Sequence, residues 1–311
     1  MKRDCIVRLI TCGMVVVSLT PGAVAEAQVG SFSKDDLIAL TAPWKGERLP
    51  DGRPMVPDDI LERMKAVTLN EAVSVLLEKG YKYQFDGNWI RINDDKVLVG
   101  RATTVQFMPL RPDMNEGNRA LAKTNGDKIG TTKTNLFNFL TKHDVPVVDV
   151  FGKGEKGTYV GDNLATQIYV RTGTGFVVDG NIIDIEGYRQ IPYFPVFARN
   201  WHPTHSQDIM VVSTNAPIMI GGAVVMPGDV VLGREQGVVF IPAHLAQEVV
   251  EDSEVTRVRD EFTKENLLKG KNYYTAKWDE ATRQEYLQWL KAHEKELTPF
   301  QRRKLLEEQD F

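Results

Sequence analysis

The stretch Val160–Asp184, "VGDNLATQIYVRTGTGFVVDGNIID", decides how the chain is read. Gly161 leads into a helix whose apolar face uses Leu164, Ala165 and Ile168, and the glycine pair Gly173 and Gly175 ends it. "GFVVDG" then reads as a buried strand, Asp179-Gly180 as a turn, and Ile182-Ile183 as a second apolar step that leaves Asp184 alone behind it. Just upstream, "VPVVDVFG" (Val145–Gly152) is a short, nearly continuous apolar strand. Strand, helix and strand in that order predict an α/β fold with layered sheet and helices.

Outward from this centre the texture changes in blocks. On the N-terminal side, "KVLVGRATTVQFM" reads as a strand, and "TLNEAVSVLLEKG" as a helix with Thr68 and Glu71 forming a capping box and Gly80 ending it. Pro57 sits where a helix can start, ahead of Asp58, Asp59, Ile60, Leu61 and Met64. Before it, "APWKGERLPDGRPMVP" is rich in proline, glycine and charge and reads as an extended arm. On the C-terminal side, "DIMVVST", "PIMIGGAVVMPGDVVLG" and "GVVFIP" are strands with glycine turns, expected to form a second sheet or a small barrel. Residues 251–311 are charged and helical, with Tyr273, Tyr274, Trp278, Tyr286 and Trp289 as aromatic anchors expected to pack against the core or a neighbouring subunit.

The first residues carry a different message. "MKRDCIVR" is basic, "LITCGMVVVSLT" is a short apolar stretch and "PGAVAEAQ" ends in small residues, the pattern of a secretory signal peptide over 1–25, with cleavage after Ala25 or Ala27. Both cysteines, Cys5 and Cys12, fall inside it, so the exported protein is expected to hold no thiol, disulfide or thiolate metal site. No segment reaches the roughly 20 apolar residues of a spanning helix. The division expected is a signal peptide over 1–25, an arm and first helix over 26–66, an α/β domain over 67–250 and a helical extension over 251–311. With 38 Lys and Arg against 42 Asp and Glu, a formal net charge of −4, the chain is poorly equipped to neutralise phosphates, which argues against nucleic acid as a partner.

Several residues could carry chemistry. Gly161, Asp162, Asn163 and Leu164 open a helix, whose unpaired N–H groups suit an anion such as a carboxylate; Asp162 or Asn163 could equally be a plain cap. Asp184 is either a solvated turn residue or the lone carboxylate of a hydrated Mg²⁺. Glu186 could orient a metal-bound water or lie exposed. "NWHPTH" places His202 and His205 near Asp208, which resembles part of a zinc site but lacks a third ligand at matching spacing. Arg199 fits either an anion or a salt bridge. A nucleophile elbow, a phosphate-binding loop and a dinucleotide fingerprint are all missing.

Taken together, the Val160–Asp184 stretch, "PVFAR", "PIMIGGAVVMPGDVVLG" and "GVVFIP" resemble the family named for the regulator of ribonuclease activity A (RraA), which includes divalent-metal 4-hydroxy-4-methyl-2-oxoglutarate aldolases and carries an older label of dimethylmenaquinone methyltransferase. The resemblance covers roughly residues 67 to 250. It implies a swivelling β/β/α domain, assembled as trimers or pairs of trimers with sites between subunits. It also implies a Gly-x-x-Leu loop at Gly161–Leu164 that holds pyruvate, and Asp184 as ligand for Mg²⁺ or Mn²⁺. Where the family has an arginine before that aspartate, this chain has Ile183, which cannot form a bidentate carboxylate contact. Either Arg189 or Arg199 supplies the charge, or the substrate differs, or catalysis is lost. Three functions follow: an exported metal-dependent lyase on 2-keto acids or related hydroxy acids, with Asp184, Glu186 and Arg199 as its catalytic residues; a non-catalytic binding or scaffold protein; and, last, a ribonuclease regulator.

Overall fold

The computed structural model describes residues 32–124, 139–153, 158–205, 208–271 and 278–308. The expected signal peptide, Tyr273 and Tyr274 lie outside the described residues.

Helices α1 (Lys34–Leu40), α2 (Asp58–Met64) and α3 (Leu69–Glu78) precede the sheet. The Thr68–Glu71 capping box opens α3 and a left-handed Gly80 follows it, as the sequence predicts. The arm differs from the extended segment expected. A Ser33–Asp36 capping box nucleates α1, and the chain then folds back through a bridge between Arg48 and Pro54. What fastens the arm is Arg53, 1% exposed. Its guanidinium meets Asp144 with Nη1–Oδ1 at 2.9 Å and Nη2–Oδ2 at 3.2 Å, and donates to Thr103 Oγ1 at 2.6 Å and Asp51 Oδ2 at 2.7 Å. A charge buried this deeply persists only with its donors satisfied, so the arm is clamped to the core.

Among the described residues the strands are β1 (Phe85–Asp86), β2 (Ile90–Ile92), β3 (Leu98–Pro109), β4 (Asp144–Lys153), β5 (Phe176–Ile182), β6 (Val196–Trp201), β7 (Ile209–Thr214), β8 (Ile218–Ile220), β9 (Ala223–Val225), β10 (Val230–Arg234) and β11 (Gly237–Ile241). One nine-stranded sheet runs β1-β11-β10-β3-β4-β5-β6-β2, with β7 also paired to β3. Neighbours from β3 to β6 are parallel and the remaining pairs antiparallel. The late strands therefore join the main sheet instead of forming a second one; only β8 and β9 stand apart, as a two-stranded hairpin.

Helices α4 (Pro112–Thr124), α5 (Asp162–Thr172) and α6 (Ile185–Tyr188) connect the parallel strands, and α7 (Ala246–Leu268), α8 (Glu280–Ala292) and α9 (Pro299–Arg302) follow the sheet. On one face, Ala165 and Ile168 of α5 pack on Val148, Val178 and Ile182. On the other, Val145, Val147 and Val177 meet Ile218, Ile220, Ala223 and Val225 of the hairpin. The start of α7 packs with α2 and α3, while its second half shares a cluster of Phe262, Tyr286, Leu290 and Leu305, flanked by Trp278 and Trp289, with the last helices. The tail thus has a small core of its own. No helix among the described residues is long and apolar enough to cross a membrane.

The expected turn at Asp179-Gly180 is strand instead. β5 runs through it, and its pairing with β6 shifts between Val178 and Asn181, so the dipeptide makes a bulge rather than a reversal. Gly180 is required there because a Cβ would lie 2.9 Å from Val150 Cβ.

Two expectations follow. Arg53→Met would leave the Asp144 carboxylate buried without its cation, and urea unfolding should show a loss of about 3–5 kcal/mol. Asp229, in the turn before β10, is 5% exposed, and burial pushes its carboxyl up to about 7. The folded chain keeps a proton that the unfolded chain has released, so stability falls as pH rises from about 4 to 7. Asp229→Asn should remove on the order of 3–4 kcal/mol of that fall, read from denaturation curves at pH 4 and pH 8.

Candidate active site

The chain entering α5 is stitched to the end of β5. Val160 bridges Ile182 in parallel, Tyr159 N–H donates to Asn181 O at 2.9 Å, and Ile183 N–H donates to Val160 O at 3.3 Å. This stitching brings two distant pieces of sequence, Gly161 and Ile183-Asp184, to one place. A Cβ on Gly161 would stand 2.7 Å from Asp184 Oδ2 and 3.5 Å from Ile183 Cγ2, so only glycine admits this approach.

Asp184 takes the left-handed conformation, φ 62° and ψ 45°, which aspartate tolerates better than most residues. Its exposed carboxylate makes no hydrogen bond or ion pair among the described residues. Gly161 is the N-cap of α5 and has no side chain with which to cap it. Asp162 folds back on the first turn, its Oδ1 accepting from Asn163 N–H at 2.7 Å, which gives Asp162 a capping role. The N–H groups of Asp162 and Leu164 have no partner among the described residues, and they belong to the helix end at Gly161, against which Asp184 lies.

Short helix α6 seats against this opening, for a Cβ on Gly187 would fall 2.4 Å from Asp162 Cβ. Tyr188, fully buried, donates its hydroxyl proton to Val160 O at 2.6 Å. Burial, reinforced by the charges of Asp184 and Asp162, pushes that phenol well above its ordinary range, so it remains a donor at any working pH. Tyr188 is missed from the sequence alone, since the carbonyl it holds lies 28 residues earlier in the chain. Glu186 is exposed in the first turn of α6. Arg189, just past α6, is exposed and makes no ion pair among the described residues.

Arg199 is committed elsewhere. On β6, its Nε donates to Asp179 Oδ1 at 2.5 Å, Nη2 to Asp86 Oδ2 at 2.5 Å and Nη1 to Gly87 O at 2.8 Å, and its guanidinium lies 3.6 Å from the Trp89 ring centre. A second carboxylate missed by sequence, Asp149, pairs in register with Asp179 across β4 and β5. Burial, with the nearby Asp179 charge adding to it, raises the Asp149 carboxyl, while Gln106 Nε2 and Phe151 N–H donate to it.

His202 sits next to the cradle through its backbone, donating N–H to Ile182 O at 3.0 Å, but its Nδ1 accepts from Thr204 N–H at 3.3 Å and so closes its own loop. His205 bridges Thr158. No group of three His, Cys, Asp or Glu side chains fit to hold a metal occurs among the described residues. A lone, solvent-accessible carboxylate does fit a hard dication that keeps most of its water, and it fits zinc poorly.

Comparison with known proteins identifies the family of this fold. A family model described as RraA-like, Aldolase/RraA, matches residues 66–240, more than half of the chain. A putative 4-hydroxy-4-methyl-2-oxoglutarate aldolase of Halalkalibacterium halodurans is 28% identical over 170 residues, 55% of this chain and 71% of that protein. An uncharacterized protein of Methanocaldococcus jannaschii is 29% identical over 132 residues, 42% of this chain, which spans 63% of that relative's length. The crystal structure of Streptomyces coelicolor RraAS2, described as an unusual member of the RNase ES inhibitor RraA protein family, superposes with a TM-score of 0.56 at 25% identity, covering 68% of this chain and 98% of that one. The mixed sheet and its flanking helices are therefore the RraA-like fold, followed here by the C-terminal helices.

If Arg199 serves the framework, Arg199→Ala should cost about 3 kcal/mol or more in urea unfolding, because Asp179 would be left buried without its cation. A role confined to ligand binding would leave the unfolding midpoint unchanged.

Proposed function

The chain belongs to the RraA-like family, and on that premise we propose that it is an exported, divalent-metal-dependent carbon–carbon lyase of the aldolase or decarboxylase type. Its substrates are 2-keto acids or related hydroxy acids, and it works as a homo-oligomer, a trimer or hexamer. The family includes aldolase-type members, one of them the named relative of Halalkalibacterium halodurans. Export rests on the residues 1–25, whose basic, apolar and small-residue order is that of a signal peptide.

One observation carries the chemical reading: the Asp184 carboxylate, unpaired among the described residues, lies against Gly161 at the open end of α5. Asp184 would hold Mg²⁺ or Mn²⁺, which when bound supplies Lewis acidity toward a 2-keto carbonyl. The free N–H groups of Asp162 and Leu164 receive the substrate carboxylate, with the helix dipole in their favour. Tyr188, through its bond to Val160 O, positions the segment that carries them. Glu186 is the residue we assign to move a proton, by way of water, at the carbon released on cleavage.

Ile183 gives the cradle an apolar side where the resemblance implies an arginine. Arg199, bonded to Asp179, Asp86 and Gly87 O, is in no position to substitute for it, which leaves Arg189 as the unengaged guanidinium nearest in sequence. These two facts favour a second reading, a binding protein that keeps the cradle without the chemistry. A ribonuclease regulator ranks last, since export would separate it from cytoplasmic RNA.

Calorimetry on the full chain should show one Mg²⁺ or Mn²⁺ site, lost in Asp184→Ala and weakened in Gly161→Ala. Pyruvate should be released from a panel of 4-hydroxy-2-keto acids and oxaloacetate, and Ile183→Arg should raise that rate about tenfold or more, the weight of a bidentate charged contact. A wild-type chain that binds neither ion ends the lyase reading; metal binding without turnover, in wild type and Ile183→Arg alike, selects the binding protein.

A further inference from the structure

Far along the fold from Asp184, the N-terminal arm closes over a cavity of about 270 Å³ between itself, the segment before β1 and the turn that joins β9 to β10. Trp44 and Pro54 of the arm form one wall, and Tyr81, Gln84, Asp229 and His244 are among the residues opposite. The cavity adjoins a wider cleft of about 640 Å³ with which it shares Pro43, Trp44, Ala243 and His244, so a ligand has a way in.

The polar groups of this cavity are unevenly satisfied. Asp229 is 5% exposed; its Oδ2 accepts from Met226 N–H at 2.8 Å, and Oδ1 has no partner among the described residues. Gln84 spends both amide protons, donating to Phe240 O at 2.8 Å and Val224 O at 3.3 Å, and keeps Oε1 as a spare acceptor. Tyr81 Oη and His244 Nε2 satisfy each other at 3.3 Å. Gln84 Oε1 and Asp229 Oδ1 are therefore spare acceptors, the second belonging to a buried carboxyl, while the Tyr81–His244 pair keeps one proton unused. A buried carboxyl in contact with nothing positive resists ionisation, and burial does push Asp229 up to about 7. A cation beside it would restore the charge. Around it stand the Trp44 and Tyr81 rings and several proline rings, surfaces that suit an apolar body and, through the aromatic faces, a positive head.

We propose that this cavity binds a small organic ammonium ion, with the Asp229 carboxylate as counter-ion and the Trp44 and Tyr81 rings enclosing the apolar part. The site is independent of the Asp184 cradle, from which it differs in chemistry: donors and a dication there, acceptors and an aromatic wall here.

The test is a calorimetric titration of the full chain with benzylammonium chloride and, separately, with neutral benzyl alcohol of nearly the same shape. Benzylammonium should bind with Kd below about 1 mM, at least about tenfold more tightly than the alcohol, the effect of one charge-assisted hydrogen bond. Asp229→Asn retains an acceptor for Met226 N–H, and in it the ammonium should lose about tenfold while the alcohol changes less than about twofold. Trp44→Ala should weaken both ligands. Equal binding of the two ligands by wild type, no heat with benzylammonium at about 10 mM (scaled from millimolar affinities), or full affinity in Asp229→Asn overturns the proposal. If Asp229→Asn does not fold, the wild-type contrast between ammonium and alcohol decides alone.

Discussion

The contact between Arg199 and Asp179 governs the centre of this molecule. An aspartate in the middle of a buried parallel strand would ordinarily end that strand, since its charge needs water or a partner. Arg199 arrives from the neighbouring strand β6, bonds Asp179 through Nε, and carries the link on to Asp86 and Gly87 O, with the Trp89 ring stacked on its guanidinium. With the charge answered, β5 continues through Asp179 and Gly180 to Ile182, four residues further than a turn there would allow. Those residues are what Val160 and Tyr159 pair against. The place of Asp184 beside Gly161 therefore depends on an arginine fifteen positions later in the sequence. The same dependence explains why an arginine so well placed for an anion in sequence is spent on the framework in the fold.

Much of the architecture was legible locally. Thr68 and Glu71 announce α3 by a capping box three residues apart, and Gly161 and Gly173 bracket α5 in a pattern that needs no tertiary information. Other features were hidden because their causes are remote. Asp179-Gly180 has the composition of a turn, and nothing nearby reveals that Arg199 neutralises the one and that Val150 crowds the other. The arm reads as extended because proline and glycine dominate it, whereas Arg53 finds its partner 91 residues away in Asp144. The late strands look like a separate unit because periodicity reports strands and not their neighbours; the pairings of β7 and β10 with β3 bring them into the main sheet.

The candidate site divides along the same line. Gly161, Leu164 and Asp184 could be picked out by motif, and the structure brings the glycine and the aspartate within contact of each other. Tyr188 could not, because its work is to hold a carbonyl on a segment 28 residues earlier. Asp149 was also invisible: it reads as one more residue of an apolar strand, and becomes notable only when β4 and β5 pair it with Asp179.

Ile183 is where local and remote reasoning meet. A guanidinium at that position would add one positive charge beside the open end of α5, where the proposed substrate carboxylate is received. Isoleucine takes that charge away from a place where, among the described residues, the Asp184 carboxylate has no partner. The cradle that remains has the open end of α5 at Gly161, with the Asp184 carboxylate and an Ile183 methyl group both close to it. On the proposed reading, such a surface favours a hydrated dication over a second carboxylate. Its occupant should therefore be held chiefly by the metal and the helix, with less demand on the substrate's own charge than a site containing arginine would make.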